Sequence, residues 1–330
     1  MDTKKYPKVA IILLNWNGWR DTLECLESLL DISYVNYQIF LVDNHSTDGS
    51  VERIKKWCRE RGFDLDKKSS DEKIILIQND KNYGFSGGNN RGIRFAMGLS
   101  YFKYFWLLNN DTVVDENSLT EMVKVAEPRD KAGIIGSKVF DYGDRSHIQT
   151  IGENKVVWPH MKRRKEIPDK ETILDVKWVR GASLLIKNEL VLEIGLLDEK
   201  LFIYFEDKDW CASALKKGWK IYTALNSRIF HKEGASTNTQ ILHKRLFGMN
   251  VQRLTLENFR IKLYYESRNG IYFVKKQFPL SFIPYLFFRT LHLIFQAILY
   301  DDHKMKRTGV ILRGTMDGVI GKMGKDNMYY

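Results

Sequence analysis

Short, unbroken apolar runs alternate with amphipathic stretches along the first half of the chain. Val9–Leu14 (VAIILL), Tyr37–Val42, Ile74–Ile77 and Tyr104–Leu108 are brief and continuous, the pattern of parallel strands covered on both faces. Between them, apolar positions fall at helical spacing. Trp19–Leu30 sets Leu23, Leu26, Leu29 and Leu30 on one side, and further helices are expected at Ser50–Arg61, Gly88–Leu99 and about residues 116–127. Strand and helix alternate four times, which predicts a doubly wound α/β sheet with right-handed crossovers. A fifth strand is expected at Ala132–Phe140.

Regularity then lapses. Residues 141–175 hold few apolar runs and a basic cluster at Lys162–Lys165, predicting a long loop. Order resumes with a strand at Ser183–Ile186 and a short helix at Asn188–Glu193. Next come FIYFEDKDW (Phe202–Trp210), a helix to Lys217, and a strand at Lys220–Leu225. Beyond about Ala235 the composition changes. Leu242–Lys276 has a helical pattern rich in Arg, Lys, Tyr and Phe, and Pro279–Tyr300 is apolar over a length that suits a membrane span. Arg289, His292 and Gln296 share one face of that stretch, which favours an amphipathic helix lying in the interface. A core helix packed on the sheet is the equal competitor. The expected organisation is a sheet domain over 1–235 and a helical, basic and aromatic extension over 236–330.

Charge narrows the partners. A net charge of +11 over 330 residues calls for nucleic acid, acidic lipid or a phosphorylated small molecule. No zinc-finger or RNP-type motif accompanies the basic residues, so no nucleic-acid partner is expected. The basic flanks Lys275–Lys276 and Lys304–Arg307 would suit an anionic membrane surface. Cys25, Cys58 and Cys211 are scattered and in no ligand spacing, which fits a reducing compartment. MDTKKYPKV shows no apolar leader, so the expected place is the cytoplasm, peripheral on the inner face of the membrane. Homo-oligomerisation stays open.

The polar turns after the strands carry the candidate chemistry, because ligands of open α/β sheets bind at the carboxyl ends of strands. VDNHSTDGS (Val42–Ser50) presents Asp43 at such an end; Asp48 or Ser46 can cap the next helix. NYGFSGGNN (Asn82–Asn90) brings glycine amides to a helix start, either as a phosphate cradle or as a plain turn. It is neither a dinucleotide GxGxxG nor a P-loop. Asp111, leaving WLLNN, is a cation ligand or an ordinary Asp turn. Glu206, Asp207 and Asp209 exceed what a helix cap needs and could include a general base. His231, beyond a strand, is a metal ligand or a surface histidine.

Six motifs in order, NWNG, VDNHSTDGS, NYGFSGGNN, LLNNDT, RGASLLI and FEDKDW, resemble family-2 glycosyltransferases of the GT-A fold. The similarity covers roughly Lys8 to Gly234 and is closest to the rhamnosyltransferase-type branch of bacterial surface polysaccharide synthesis. The tail pattern Tyr264–Asn269 (YYESRN) is similar to that branch as well. The resemblance implies a GT-A sheet flanked by helices and inverting transfer from a nucleotide-diphosphate sugar to a saccharide or polyprenyl-linked acceptor. Rhamnose from dTDP-rhamnose is the donor it suggests; UDP-galactose, UDP-galactofuranose or UDP-GlcNAc on the same fold are the alternatives. By position, Asp43 would contact the base or ribose, with Asn15, Asn82, Gly84, Gly87, Gly88 and Asn110 around the nucleotide sugar. Asp111, at the last position of the family's DxD, and His231 would hold Mg2+ or Mn2+. Asp207, paired with Glu206, would be the base; Trp178, Arg180, Gly181 and Asp209 would face the acceptor. Asn109 departs from the acidic first DxD position, and a catalytically idle nucleotide- or polysaccharide-binding module is the reading that departure favours.

Overall fold

The structure, a computed structural model, describes residues 6–154, 171–232, 241–246, 249–254, 259–300 and 303–328. The four apolar runs become the parallel strands β1 (Val9–Asn15), β2 (Tyr37–Asp43), β3 (Ile74–Gln78) and β4 (Tyr104–Asn109), ordered β3-β2-β1-β4. Helices α1 (Trp19–Leu30), α2 (Ser50–Glu60) and α3 (Gly84–Leu99) connect them. After β5 (Thr112–Val114), α4 (Ser118–Ala126) and β6 (Ala132–Asp141), the sheet becomes mixed. Strand β9 (Ser183–Lys187) inserts antiparallel between β4 and β6, and β10 (Lys220–His231) runs parallel to β6 with β5 antiparallel at its far end.

Helices cover both faces of the sheet. Val9, Ile11 and Leu13 pack with Leu26 and Leu29 of α1, Ile54 of α2 and Leu119 of α4. The alternate residues Ala10 and Ile12 pack with Ile93 of α3, and on the same face lie Leu190 of α5 (Asn188–Ile194) and Trp210 of α6 (Glu206–Lys216). This period-two split of one continuous apolar run is what buries a parallel strand on both sides.

Two expectations need correction. The loop expected over 141–175 contains β7 (Ile148–Thr150), beside β6, and β8 (Ile173–Val176), beside β10; the Lys162–Lys165 cluster lies outside the described residues. Leu242–Lys276 is not one helix. A two-stranded hairpin, β11 (Ile241–Leu246) and β12 (Met249–Leu254), precedes α7 (Phe259–Gln277), and a glycine between the two runs is the sequence signal for it. Helices α8 (Phe282–Tyr300) and α9 (Lys304–Ile320) complete the chain and pack together through Leu293, Ala297 and Ile311.

Candidate active site

Strand register brings the polar turns to one edge. Asn15 lies opposite Asp43, Leu14 opposite Asn109, and Leu108 opposite Ser183, so the ends of β1, β2 and β4 and the start of β9 form a continuous rim. The Asp43 carboxylate is buried there. One oxygen accepts from Asn15 Nδ2 at 2.8 Å, the other from the Ser46 N–H at 3.0 Å. Asn15 is itself fixed by Thr22, whose hydroxyl donates to Asn15 Oδ1 at 2.8 Å and accepts from Asn110 Nδ2 at 2.9 Å. Asn110 thus ties the end of β4 to the start of α1.

The glycine turn serves a different purpose from the one expected. Helix α3 begins at Gly84 rather than Gly88, so Gly87 and Gly88 fall in its second turn, not in a loop. Gly88 is needed for close packing, since a Cβ there would meet Leu14 of β1 at 2.5 Å. Gly84 has a φ of +71°, and its N–H donates to Asn82 Oδ1 at 2.7 Å. The Ser86 N–H donates to the Phe202 carbonyl at 3.2 Å. Two of the first-turn donors that would cradle a phosphate, those of Gly84 and Ser86, therefore already have protein partners, one of them the Asn82 side chain. Asn44, which the sequence reading passed over, locks the corner: its Nδ2 donates to Asn82 and to the Gly84 carbonyl, and its Oδ1 accepts from Asn79 and the Tyr83 N–H.

Asp111 and His231 meet at the rim, buried, with Nε2 of the imidazole 3.3 Å from Oδ1 of the carboxylate. The Lys232 N–H donates to the Asp111 carbonyl, and the Lys232 ammonium bonds Asp21 and Glu24 of α1, which anchors the end of β10. Burial alone would push the Asp111 carboxyl up; the charge and hydrogen bond of a protonated His231, with a backbone N–H and Asn109 beside them, together outweigh it and hold the group below the usual carboxylate range. Asp111 Oδ1 makes no hydrogen bond and faces an imidazole nitrogen, a donor set that fits a divalent cation needing further oxygens from a diphosphate and water. No third His, Cys, Asp or Glu joins the pair among the described residues. Asn109 Nδ2 is 3.4 Å from His231 Nε2, so the departure from DxD leaves an amide, not a carboxylate, beside the pair.

Asp207 is half-buried at the start of α6. Its Oδ2 accepts from the Gly181 N–H at 3.0 Å and its Oδ1 from the Lys208 N–H at 2.7 Å. The next carbonyl along from Gly181, that of Ala182, accepts from the Asn109 N–H at 3.1 Å, so two backbone hydrogen bonds link Asp207 to the Asn109–Asp111 end of β4. Burial pushes the Asp207 carboxyl up, with the Lys208 charge and the two N–H donors opposing. Burial and then the Asp207 charge push Glu206 well above the usual range. Trp178 is buried, and the Lys208 ammonium sits 4.4 Å from its ring centroid and 4.8 Å from that of Phe205. Asp209 is turned away from this pocket. Its oxygens accept from Lys276 Nζ at 2.8 Å and Gln277 Nε2 at 2.7 Å, so it docks α6 on α7 and does not face an acceptor.

A matched family model, glycosyl transferase family 2, covers residues 10–182, over half of the chain. The chain belongs to that family. Its fold is GT-A-like: it superposes on the mannosyltransferase PcManGT from Pyrobaculum calidifontis, solved with GDP-Man and Mn2+, with a TM-score of 0.59 over 96% of this chain and 88% of that one, at 13% identity. GalNAc-T7, solved with UDP, GalNAc and Mn2+, gives 0.57 over 81% of this chain and 51% of that one, at 17% identity. Among curated sequences, the low-salt glycan biosynthesis hexosyltransferase Agl10 of Haloferax volcanii is 21% identical over 64% of this chain and 63% of its own length. The dTDP-rhamnosyl transferase RfbF of Shigella flexneri is 22% identical over 96% of this chain and 97% of its own. Membership of the family makes this chain a glycosyltransferase.

Proposed function

We propose that the chain is an inverting transferase that moves a sugar from a nucleotide diphosphate to a hydroxyl of a saccharide or lipid-linked saccharide. The observation that carries this reading is the placement of Asp207. It is a carboxylate oriented by the Gly181 and Lys208 amides, two backbone hydrogen bonds from the Asn109–Asp111 rim. In the proposed step the acceptor oxygen bonds to the anomeric carbon as the bond from that carbon to the diphosphate breaks, and Asp207 takes the acceptor proton. Asp43, with Asn15 behind it, is the proposed base or ribose contact. Asp111 and His231 are the proposed holders of Mg2+ or Mn2+, which would neutralise charge developing on the departing diphosphate.

Rhamnose is the proposed donor sugar, supported by near full-length similarity to the Shigella dTDP-rhamnosyl transferase. A thermal-shift screen of dTDP-rhamnose, UDP-galactose, UDP-galactofuranose, UDP-GlcNAc and GDP-mannose, each with and without Mn2+, tests it, because a ligand of the native state raises stability by mass action. Asp207→Asn should keep the donor's stabilisation and lose about 10²- to 10⁴-fold in transfer rate; transfer at the wild-type rate would remove Asp207 from the role. Asn109 supports the second reading, an idle binding module. Slow metal-dependent hydrolysis of the stabilising sugar nucleotide by the wild type would exclude it.

We also propose a peripheral position on an anionic membrane. Support comes from Pro279–Ile298, a short 3-10 turn and most of α8, which is long and apolar enough to cross a bilayer yet little of it is buried in the protein.

A further inference from the structure

Gln149, on the short strand β7, is buried and holds His231 at two points. Its Nε2 donates to the His231 carbonyl at 2.9 Å, and its Oε1 lies 3.0 Å from His231 Nδ1. The orientation of this amide is fixed. A second contact of Nε2, to Asp141 Oδ2 at 3.4 Å, means that a flipped amide would set its oxygen against both a carbonyl and a carboxylate. Asp141 is anchored in turn, since its Oδ1 accepts from the Gly143 and Asp144 N–H groups at the β6 turn. An amide oxygen only accepts, so the nitrogen facing it, Nδ1, must carry a proton. In the neutral ring the other nitrogen, Nε2, then carries the lone pair, 3.3 Å from Asp111 Oδ1 and 3.4 Å from the Asn109 amide nitrogen, where a cation or a second proton would settle it beside the carboxylate.

We infer that Gln149 is a positioning residue for the Asp111–His231 pair: by fixing both the tautomer and the ring orientation of His231, it presents Nε2 as a ready cation ligand. Partners that grip the far nitrogen of a ligating histidine do this in metal sites generally, and their loss typically costs 10- to 100-fold in metal affinity. Nothing in the local pattern marks it, because a lone glutamine in a poorly patterned stretch resembles loop polarity. The inference rests on the cation role proposed for Asp111 and His231, but its first readout does not need a metal.

The test uses the full chain, ¹⁵N-labelled at histidine, in three forms: wild type, Gln149→Met and Gln149→Glu. Long-range ¹H–¹⁵N spectra at alkaline pH, where imidazoles are neutral, report the tautomer of His231, assigned by its loss in His231→Ala. The wild type should show Nδ1–H. Gln149→Met should show Nε2–H or a mixture, and Gln149→Glu, held protonated on the oxygen that faces the His231 carbonyl and Asp141 while its other oxygen still accepts from Nδ1, should return to Nδ1–H. Mn2+ affinity, measured by electron paramagnetic resonance of free Mn2+, should fall about 10- to 100-fold in Gln149→Met and recover most of that in Gln149→Glu. An Nε2–H wild type, or a Gln149→Met protein that keeps both tautomer and affinity, overturns the inference. If the wild type binds no Mn2+, the cation reading fails alone, and the tautomer spectra still decide the role of Gln149. Should Gln149→Met not fold, the wild-type and Gln149→Glu spectra carry the decision.

Discussion

Glu206 and Asp207 are adjacent carboxyls at the first turn of α6, a place where the helix dipole favours negative charge. Burial overrides that help, and Glu206 Oε2 has no hydrogen bond among the described residues. Both groups are pushed above their ordinary values, so the native state binds more protons than the unfolded chain. Stability contributed by the pair is therefore highest at acid pH and declines as pH rises from the ordinary carboxylate range through the raised values. Glu206→Gln removes the larger part of that penalty. It should melt higher than the wild type at pH 7.5 by scanning calorimetry, and the gap should close toward pH 4. A variant that melts lower at every pH would mean Glu206 serves as a charged anchor instead. The same environment sets the rate profile. If Asp207 is the base, the acid limb of kcat/KM should lie above the ordinary aspartate range, because it must lose its proton before it can accept one from the acceptor.

At the scale of elements, the loop before α6 concentrates backbone strain, with three of the six positive-φ non-glycine residues among the described residues. Phe202, Tyr204 and Phe205 adopt φ values of +64°, +69° and +75°, where side-chain-bearing residues cost about 1–3 kcal/mol each. Helix α7 holds the loop in place. Asn269 Nδ2 lies 2.8, 2.7 and 2.9 Å from the carbonyls of Leu201, Ile203 and Tyr204, its two N–H groups shared among the three, and Arg268 Nη2 reaches the Leu201 carbonyl at 3.4 Å. The tail motif YYESRN thus positions the loop that leads to the proposed base, Asp207, from outside the segment matched by the family model. Asn269→Leu removes the donor from the Ile203 and Tyr204 carbonyls, while Leu201 keeps the Ile203 N–H, at about 1–3 kcal/mol for each one left without water. Urea unfolding should show a loss of about 3 kcal/mol or more. Transfer should fall further than binding of the stabilising nucleotide, since the rim at Asp43 does not depend on α7. Equal losses in both would point to general unfolding rather than a displaced loop.

Across the whole molecule, what could be read from the chain was what is encoded locally. Strands β1 to β4 are continuous apolar runs, and their ends announced Asp43 and Asp111 by position alone. What stayed hidden depends on tertiary partners. Strands β7 and β8 have three and four residues and exist by pairing with β6 and β10. The start of α3 is set by Asn82 and Gly84 rather than by apolar spacing, and Asp209 shows its purpose only once Lys276 and Gln277 lie against it.

The tail shows the same limit, and it decides how the membrane proposal is tested. Part of the basic flanks expected to meet lipid is engaged within the protein, while Lys304 and Lys306 stay exposed: Lys276 bonds Asp198 and Asp209, Lys275 donates to the Val319 carbonyl, and Arg307 is buried. Apolar contact is left to do most of the binding. Leu280, Ile283, Phe287, Leu291, Phe295 and Ile298 recur at helical spacing and are all exposed, Leu280 at 99% and Phe287 at 60%, while Leu293 and Ala297 pack against α9. A helix held on one side by the protein and bare on the other suits the plane of the interface rather than a span. Binding to vesicles of phosphatidylglycerol and phosphatidylethanolamine should therefore persist in 0.5 M NaCl, which screens surface charge strongly. Phe287→Glu, Leu291→Glu and Phe295→Glu together should lower partitioning at least about a hundredfold, since each apolar side chain contributes about 1.5–3 kcal/mol when fully buried. Flotation through a density gradient measures both. A triple variant that floats like the wild type would show that α8 is not the contact. If the wild type does not float and elutes as a dimer that the triple variant abolishes, the stripe is a subunit interface instead.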